Sequence, residues 1–183
     1  MRPFAVLFGL IATASASRTL NYAVPTSLKA VASNCTLPGQ FEVTDFTTQK
    51  DTTKNTTTTV CFGFFDPDTK IKTTCERNET SVASGPNGNI YKCDNPYISF
   101  VYQTTGVAGL TVVEKACPGS GTTGFEAAGL VQPHLDCSNT AANTAVCHAN
   151  QTSIHGVFDS LQPSPPSLSR RMFVGGRIGR NRA

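Results

Sequence analysis

Seven cysteines, at positions 35, 61, 75, 93, 117, 137 and 147, constrain this chain more than any other feature, because its first residues send it to an oxidising compartment. Arg2 supplies a positive start, residues 4–11 are an apolar run, and Ala14-Ser15-Ala16 offers small residues for signal peptidase. This is the pattern of a cleaved export signal over residues 1–16, shorter than the roughly 18 apolar residues that would stay in a bilayer. In an exported chain the default fate of cysteine is the disulfide. No C-x-x-C pair occurs, which argues against zinc or thioredoxin-like chemistry. An odd count leaves at least one thiol free or bonded to a second chain.

Cleavage after Ala16 leaves 167 residues, enough for one domain with a core. Charged residues make up 15% of the chain, while Thr, Ser, Asn and Gly abound, a balance suited to strands rather than to a helical bundle. The formal charge of +3 is not a property of the body. Arg2 leaves with the signal, and Arg170, Arg171, Arg177, Arg180 and Arg182 crowd the last fourteen residues. What remains has nine basic and twelve acidic residues, a net of −3, so no nucleic-acid partner is expected.

Residues 17–33 form a leader without clear periodicity. Period-two patterning starts at Gln40: Phe41, Val43 and Asp45 alternate with Glu42, Thr44 and Phe46, which predicts a half-buried strand. A polar turn at 51–55 leads to a β-branched and aromatic run, 56–65, then the turn Asp66-Pro67-Asp68 and a return strand at 71–76, together a hairpin. The Gly- and Asn-rich cluster 84–89 is a turn, followed by strands at 90–93, 97–103 and 110–117. After a loop at 118–124, residues 125–136 read as one long or bent strand. Strands at this spacing, without a 3.6-residue stripe, predict an all-β fold: a single disulfide-stabilised antiparallel β-barrel or β-sandwich over residues 34–160. Residues 161–183 are Pro/Ser-rich and then basic, and are expected to be a disordered tail.

Four Asn-x-Thr acceptors, Asn34, Asn55, Asn78 and Asn150, are glycosylation candidates and place those residues on the surface. Catalytic and metal signatures are thin. There is no G-x-S-x-G elbow and no H-E-x-x-H pair. His134 and Asp136 share one face of a strand, a spacing that chance supplies readily. Cys147 beside His148 is better spent in a disulfide than as a nucleophile. Ser120 belongs to a glycine turn, and Asp66 and Asp68 to theirs. The Arg170-Arg171 pair in a Pro/Ser linker is a weak processing signal. The expectation is a protein that is not an enzyme and has no cofactor.

The order of Cys35-Thr-Leu-Pro, FEVTDF (41–46), TTCERN (73–78), YKCDNPYISFVY (91–102), GLTVVEKACPG (109–119) and FEAAGLVQPHLDC (125–137) resembles the fungal secreted family of the major Alternaria allergen. The resemblance covers about 35–158 and implies a compact secreted antiparallel β domain of the effector or allergen kind with no established enzymatic site. It implies the bridges Cys75–Cys93 and Cys137–Cys147, and a dimer-forming role for the position of Cys35. Cys61 and Cys117 are additional to that pattern. An internal bond from Cys35 to one of them, leaving the other as the odd thiol, is favoured over a disulfide-linked homodimer. The resulting expectation is a mostly monomeric, extracellular protein that binds a host protein or small ligand, without a nucleic-acid or membrane partner. Two rival readings stand beside it. One is a small hydrolase or protease inhibitor using the 118–124 loop; the other is a cell-wall glycoprotein, suggested by the Thr-rich 52–59 stretch.

Overall fold

A computed structural model of the chain describes residues 19–85, 88–119, 124–141 and 143–164. The export signal, Ser120, the Arg170-Arg171 pair and the basic tail beyond Ser164 lie outside the described residues. One short helix, α1 (Thr26–Ala32), precedes eleven strands: β1 (Gln40–Asp51), β2 (Thr56–Phe65), β3 (Lys72–Arg77), β4 (Tyr91–Lys92), β5 (Ile98–Gln103), β6 (Gly109–Ala116), β7 (Phe125–Val131), β8 (Leu135–Ala141), β9 (Thr144–Ala149), β10 (Ser153–Val157) and β11 (Ser160–Pro163). They form two antiparallel sheets. The first runs β3-β2-β1-β9-β8 with β10 also on β1; the second runs β11-β7-β6-β5-β4. The sheets do not close into one barrel, and of the two expected all-β architectures the sandwich describes them better.

The path of β1 determines the first sheet. Its N-terminal half, Gln40 to Thr44, pairs with β10, and its C-terminal half, Thr47 to Asp51, pairs with β9. Between them Asp45 takes φ 53°, a left-handed conformation that Asp tolerates better than most residues. Against β2 the register passes from Thr44↔Gly63 to Thr47↔Cys61, so Asp45 and Phe46 together oppose Phe62. This is a β-bulge, and it reverses which face the following side chains occupy. Strict alternation from Phe41 and Val43 predicts Asp45 inside and Phe46 outside. The structure corrects this: Asp45 is exposed and Phe46 is buried, its ring 5.9 Å from that of Phe62.

The core between the sheets takes Phe41, Val43, Phe46, Val60, Phe62 and Phe64 from the first sheet, and Ile98, Phe100, Leu110, Val112 and Ala127 from the second. Rings meet across it, with Phe62 edge-on to Phe100 at 5.0 Å and Phe41 against Phe158 at 4.9 Å. Each buried Phe or Leu of this kind contributes about 1.5–3 kcal/mol of hydrophobic stabilisation. One side of the sandwich is joined at β3 and β4, where the Asp94 amide donates to the Thr74 carbonyl and Cys75 bonds Cys93. On the other side the chain passes from β10 into β11, with the Phe158 amide donating to the Gly39 carbonyl and that of Asp159 to Ala128. Gly129 and Gly156 make room there for the Phe41 ring; a Cβ at Gly129 would fall 2.7 Å from that ring and closer still to the Val157 carbonyl oxygen.

Three further expectations change. The run 125–136 is two strands in different sheets, β7 and β8, separated at Gln132-Pro133-His134, where proline cannot donate to a ladder. The leader contains α1, whose Leu28 and Val31, with Val24 just before the helix, pack with Ala116, Cys117 and Phe125 in a second small core. Seven residues are too few to hold a helix alone, so this packing sustains it. The segment assigned to a tail from residue 161 begins as β11, in which Leu161 and Gln162 pair with Ala127 and Glu126. Pro163 ends that strand on the sheet edge, a position that needs no ladder donor.

Two stability measurements check this account. Gly129→Ala should cost about 1–3 kcal/mol, because the new methyl meets backbone as well as the Phe41 ring, and should lower Tm by several degrees. Replacing both Cys75 and Cys93 by Ala should lower Tm by more than about 5 °C, since a loop of this size contributes about 3 kcal/mol in the chain-entropy picture. Calorimetry on the secreted protein reads both.

Candidate functional site

Where the leader meets the sandwich it leaves an open cleft of about 590 Å³. One wall is the leader, with Leu20, Asn21, Ala32 and Cys35; the other is the sandwich, with Gln40, Asp68 and Val157. Val157, on the outward face of β10, is 47% exposed and lines the cleft. The leader is held at three points. Cys35 bonds Cys117, with Cα atoms 5.7 Å apart; Leu28 is buried; and the Tyr22 hydroxyl donates to the Pro38 carbonyl.

Behind the cleft wall lies an arrangement that the sequence did not disclose. Asp66 ends β2, and its Oδ1 accepts from the amides of Asp68 at 2.5 Å and Thr69 at 3.0 Å. That is the turn-forming role expected of it. Its other oxygen, Oδ2, points inward toward the Glu114 carboxyl of β6, and both residues have zero exposure. The groups lie close enough to act on one another, yet Asp66 Oδ2, Thr69 Oγ1 and both Glu114 oxygens make no hydrogen bond of good geometry. Burial, with the Asp66 charge next in importance, pushes the Glu114 carboxyl up to about 8. Burial likewise raises Asp66. Tyr22 is raised well above the ordinary phenol range, first by burial and then by the charges of Asp66, Glu114 and Asp68. Two such carboxyls cannot both ionise cheaply, so the pair holds a proton at neutral pH. A Glu at an inward position of an otherwise apolar strand, GLTVVEKA, was the one available signal.

The cysteines form Cys35–Cys117, Cys75–Cys93 and Cys137–Cys147. Cys61, included among the candidate disulfide residues, is instead a free thiol. It lies on the outward face of β2 opposite Thr47 and Glu76. Burial and then the charges of Glu76, Asp45 and Asp94 raise its pKa. The internal bond of Cys35 also occupies the thiol that the resemblance would use for dimerisation.

The four glycosylation candidates fall at different kinds of place. Asn34 is exposed beside the bridged Cys35, Asn55 is exposed at φ 54° in the β1–β2 turn, and Asn150 is exposed between β9 and β10. Asn78 is half-buried, and its Oδ1 accepts from the Thr80 amide and hydroxyl while its Nδ2 donates to Glu76. His134 lies in the link before β8, and Asp136 sits across the β8–β9 ladder from His148, all three exposed. No cluster of three or more metal-ligating side chains occurs among the described residues. Among them, too, no helix is long and apolar enough to cross a membrane.

The two-sheet, disulfide-bridged sandwich has a fold like that of a known fungal allergen. The crystal structure of the Alternaria alternata allergen Alt a 1 superposes with a TM-score of 0.50 at 14% identity, over 70% of this chain and 91% of the allergen chain. A second crystal structure of the same allergen gives 0.48 at 14%, over 70% and 96%. No family model matches the chain, and no curated protein matches it.

The raised pKa of Cys61 sets an expectation for its chemistry. A thiol whose pKa lies above its ordinary value has less thiolate at neutral pH, so a disulfide-exchange reagent should label Cys61 more slowly at pH 7 than it labels a free thiol, and faster as the pH is raised. Cys61→Ser should leave Tm within about 1–2 °C and should not change the protein's mobility on a non-reducing gel.

Proposed function

We propose that the chain is a secreted, non-enzymatic binding protein of the allergen or effector kind, and that its cleft takes a small amphipathic molecule. The cleft carries this reading: its volume suits a drug-sized ligand, and apolar Leu20, Ala32 and Val157 share it with the polar groups of Asn21, Gln40 and Asp68. Three disulfides support an extracellular setting. The fold shared with Alt a 1 supports the allergen-like assignment. The internal bond of Cys35 supports a monomer, and the acidic body supports a partner other than nucleic acid.

Thermal shift and calorimetric titration of the glycosylated, secreted protein against a library of small amphipathic compounds test the proposal. A ligand present at about 100 times its Kd stabilises the folded state by about 2.7 kcal/mol, which is easily read. Val157→Arg, which places a long charged side chain in the cleft, should abolish that gain. Stabilisation that survives Val157→Arg would move the site elsewhere, and turnover of a hydrolase substrate panel would replace the non-enzymatic reading.

A further inference from the structure

We infer that docking of the leader, residues 19–33, on the sandwich depends on the buried Asp66–Glu114 carboxyl pair carrying a proton, so that the leader lies closed in acid and loosens in alkali, setting the width of the cleft. The inference concerns the leader and holds whether or not the cleft takes a ligand.

Three observations meet at this point. Asp66 and Glu114 come from different sheets, both have zero exposure, and three of their four carboxyl oxygens lack a hydrogen-bond partner of good geometry. The leader brings the half-buried Tyr22 against the main core, where it donates to Pro38 and lies near enough to feel both charges. The same leader supplies one wall of the cleft.

The charges facing Glu114 are all of one sign. Asp66 and Asp68 act on it from the turn after β2, and the leader contributes the Tyr22 phenol. The strands flanking Glu114 in its own sheet place Ile98 and Ala127 beside it, and its chain neighbour Lys115 lies on the opposite, exposed face. Among the described residues, no cation contributes to the shift of either carboxyl.

The sign of the effect follows from linkage. The Glu114 carboxyl is raised from an ordinary 4.5 to about 8 in the folded protein, so the fold binds the proton more tightly than the unfolded chain does. That stabilisation is fully present below about 4.5 and disappears as the pH rises through about 8. Above that pH two buried negative charges must be hydrated. β6 is paired on both sides, by β5 and β7, and the turn after β2 is closed by the Asp66 amide on the Ile71 carbonyl. The leader belongs to neither sheet and is held by the small core around Leu28, Val24 and Val31, by Tyr22 and by one disulfide, so lifting it is the opening of lowest cost. Cys35–Cys117 keeps its C-terminal end attached and acts as the hinge.

Amide hydrogen exchange on the full secreted, disulfide-intact protein tests this. Rates are divided by the intrinsic chemical rate at each pH between 5 and 9.5. Residues 19–33 should lose at least about tenfold in protection across this range, while β1 and β6 keep theirs; tenfold corresponds to about one pKa unit of the shift. Glu114→Gln should leave the leader protected throughout. Should that variant not fold, Asp66→Asn keeps the Oδ1 acceptor, removes a charge and should move the midpoint of loosening to lower pH. Constant leader protection in the unsubstituted protein, an unaltered midpoint in either variant, or parallel loss in β1 would each overturn the inference.

Discussion

The bulge at Asp45 is the constraint on which the first sheet depends. A twelve-residue strand without it would carry one pairing partner along its whole outer edge. With it, β1 turns enough to take β10 on its first half and β9 on its second, so that two consecutive strands from far along the chain meet on one strand. The reversal of phase also delivers Phe46 to the core, where it joins Phe62 and Tyr102. An aspartate is well suited to the position because its short polar side chain tolerates the left-handed backbone and is content in water. The sheet therefore owes its shape to an exposed residue, while its stability comes from the buried rings.

Much of the architecture was legible in the chain. The hairpin β2–β3 and the strands β5 and β6 follow from alternation bounded by Asp, Gly and Asn turns, which are local signals. The errors share one cause. The reversed alternation at Asp45, the passage of the chain from one sheet to the other after the break at Pro133, and the helix in the leader are each decided by what pairs with or packs against the segment from elsewhere. α1 shows this well, since Leu28 and Val31 have helical spacing but their partners, Ala116 and Phe125, lie some ninety residues onward. The last strands, from β9 to β11, had weak local patterns and became strands through pairing with β1 and β7.

The candidate site was legible only in part. Asp66 reads correctly as a turn former because its Oδ1 does what a turn aspartate does. Its second role needs Glu114, which sits in another sheet and carries no motif. A cleft between a leader and a sandwich is likewise a relation between elements, and single-sequence periodicity has no way to encode it. The cysteines lie between these cases. Their number and compartment predicted bridges, the resemblance suggested two partners, and the choice between Cys61 and Cys117 for Cys35 rested on which of them the second sheet brings to the leader.

That last bridge has a consequence for how the chain matures. Cys35 and Cys117 are separated by 82 residues, and Cys61 lies between them in sequence. A chain made from its N-terminus therefore presents Cys35 and Cys61 together before the native partner of Cys35 exists. In an oxidising compartment, a Cys35–Cys61 bond formed at that stage would need thiol exchange to hand Cys35 over to Cys117. The partners of β1 arrive later still, from β9 and β10, so the first sheet waits with an open edge until they do. Correct folding of a domain bridged in this way thus hinges on delay: the earliest cysteine has to stay exchangeable until the strands that bury its proper mate have been made.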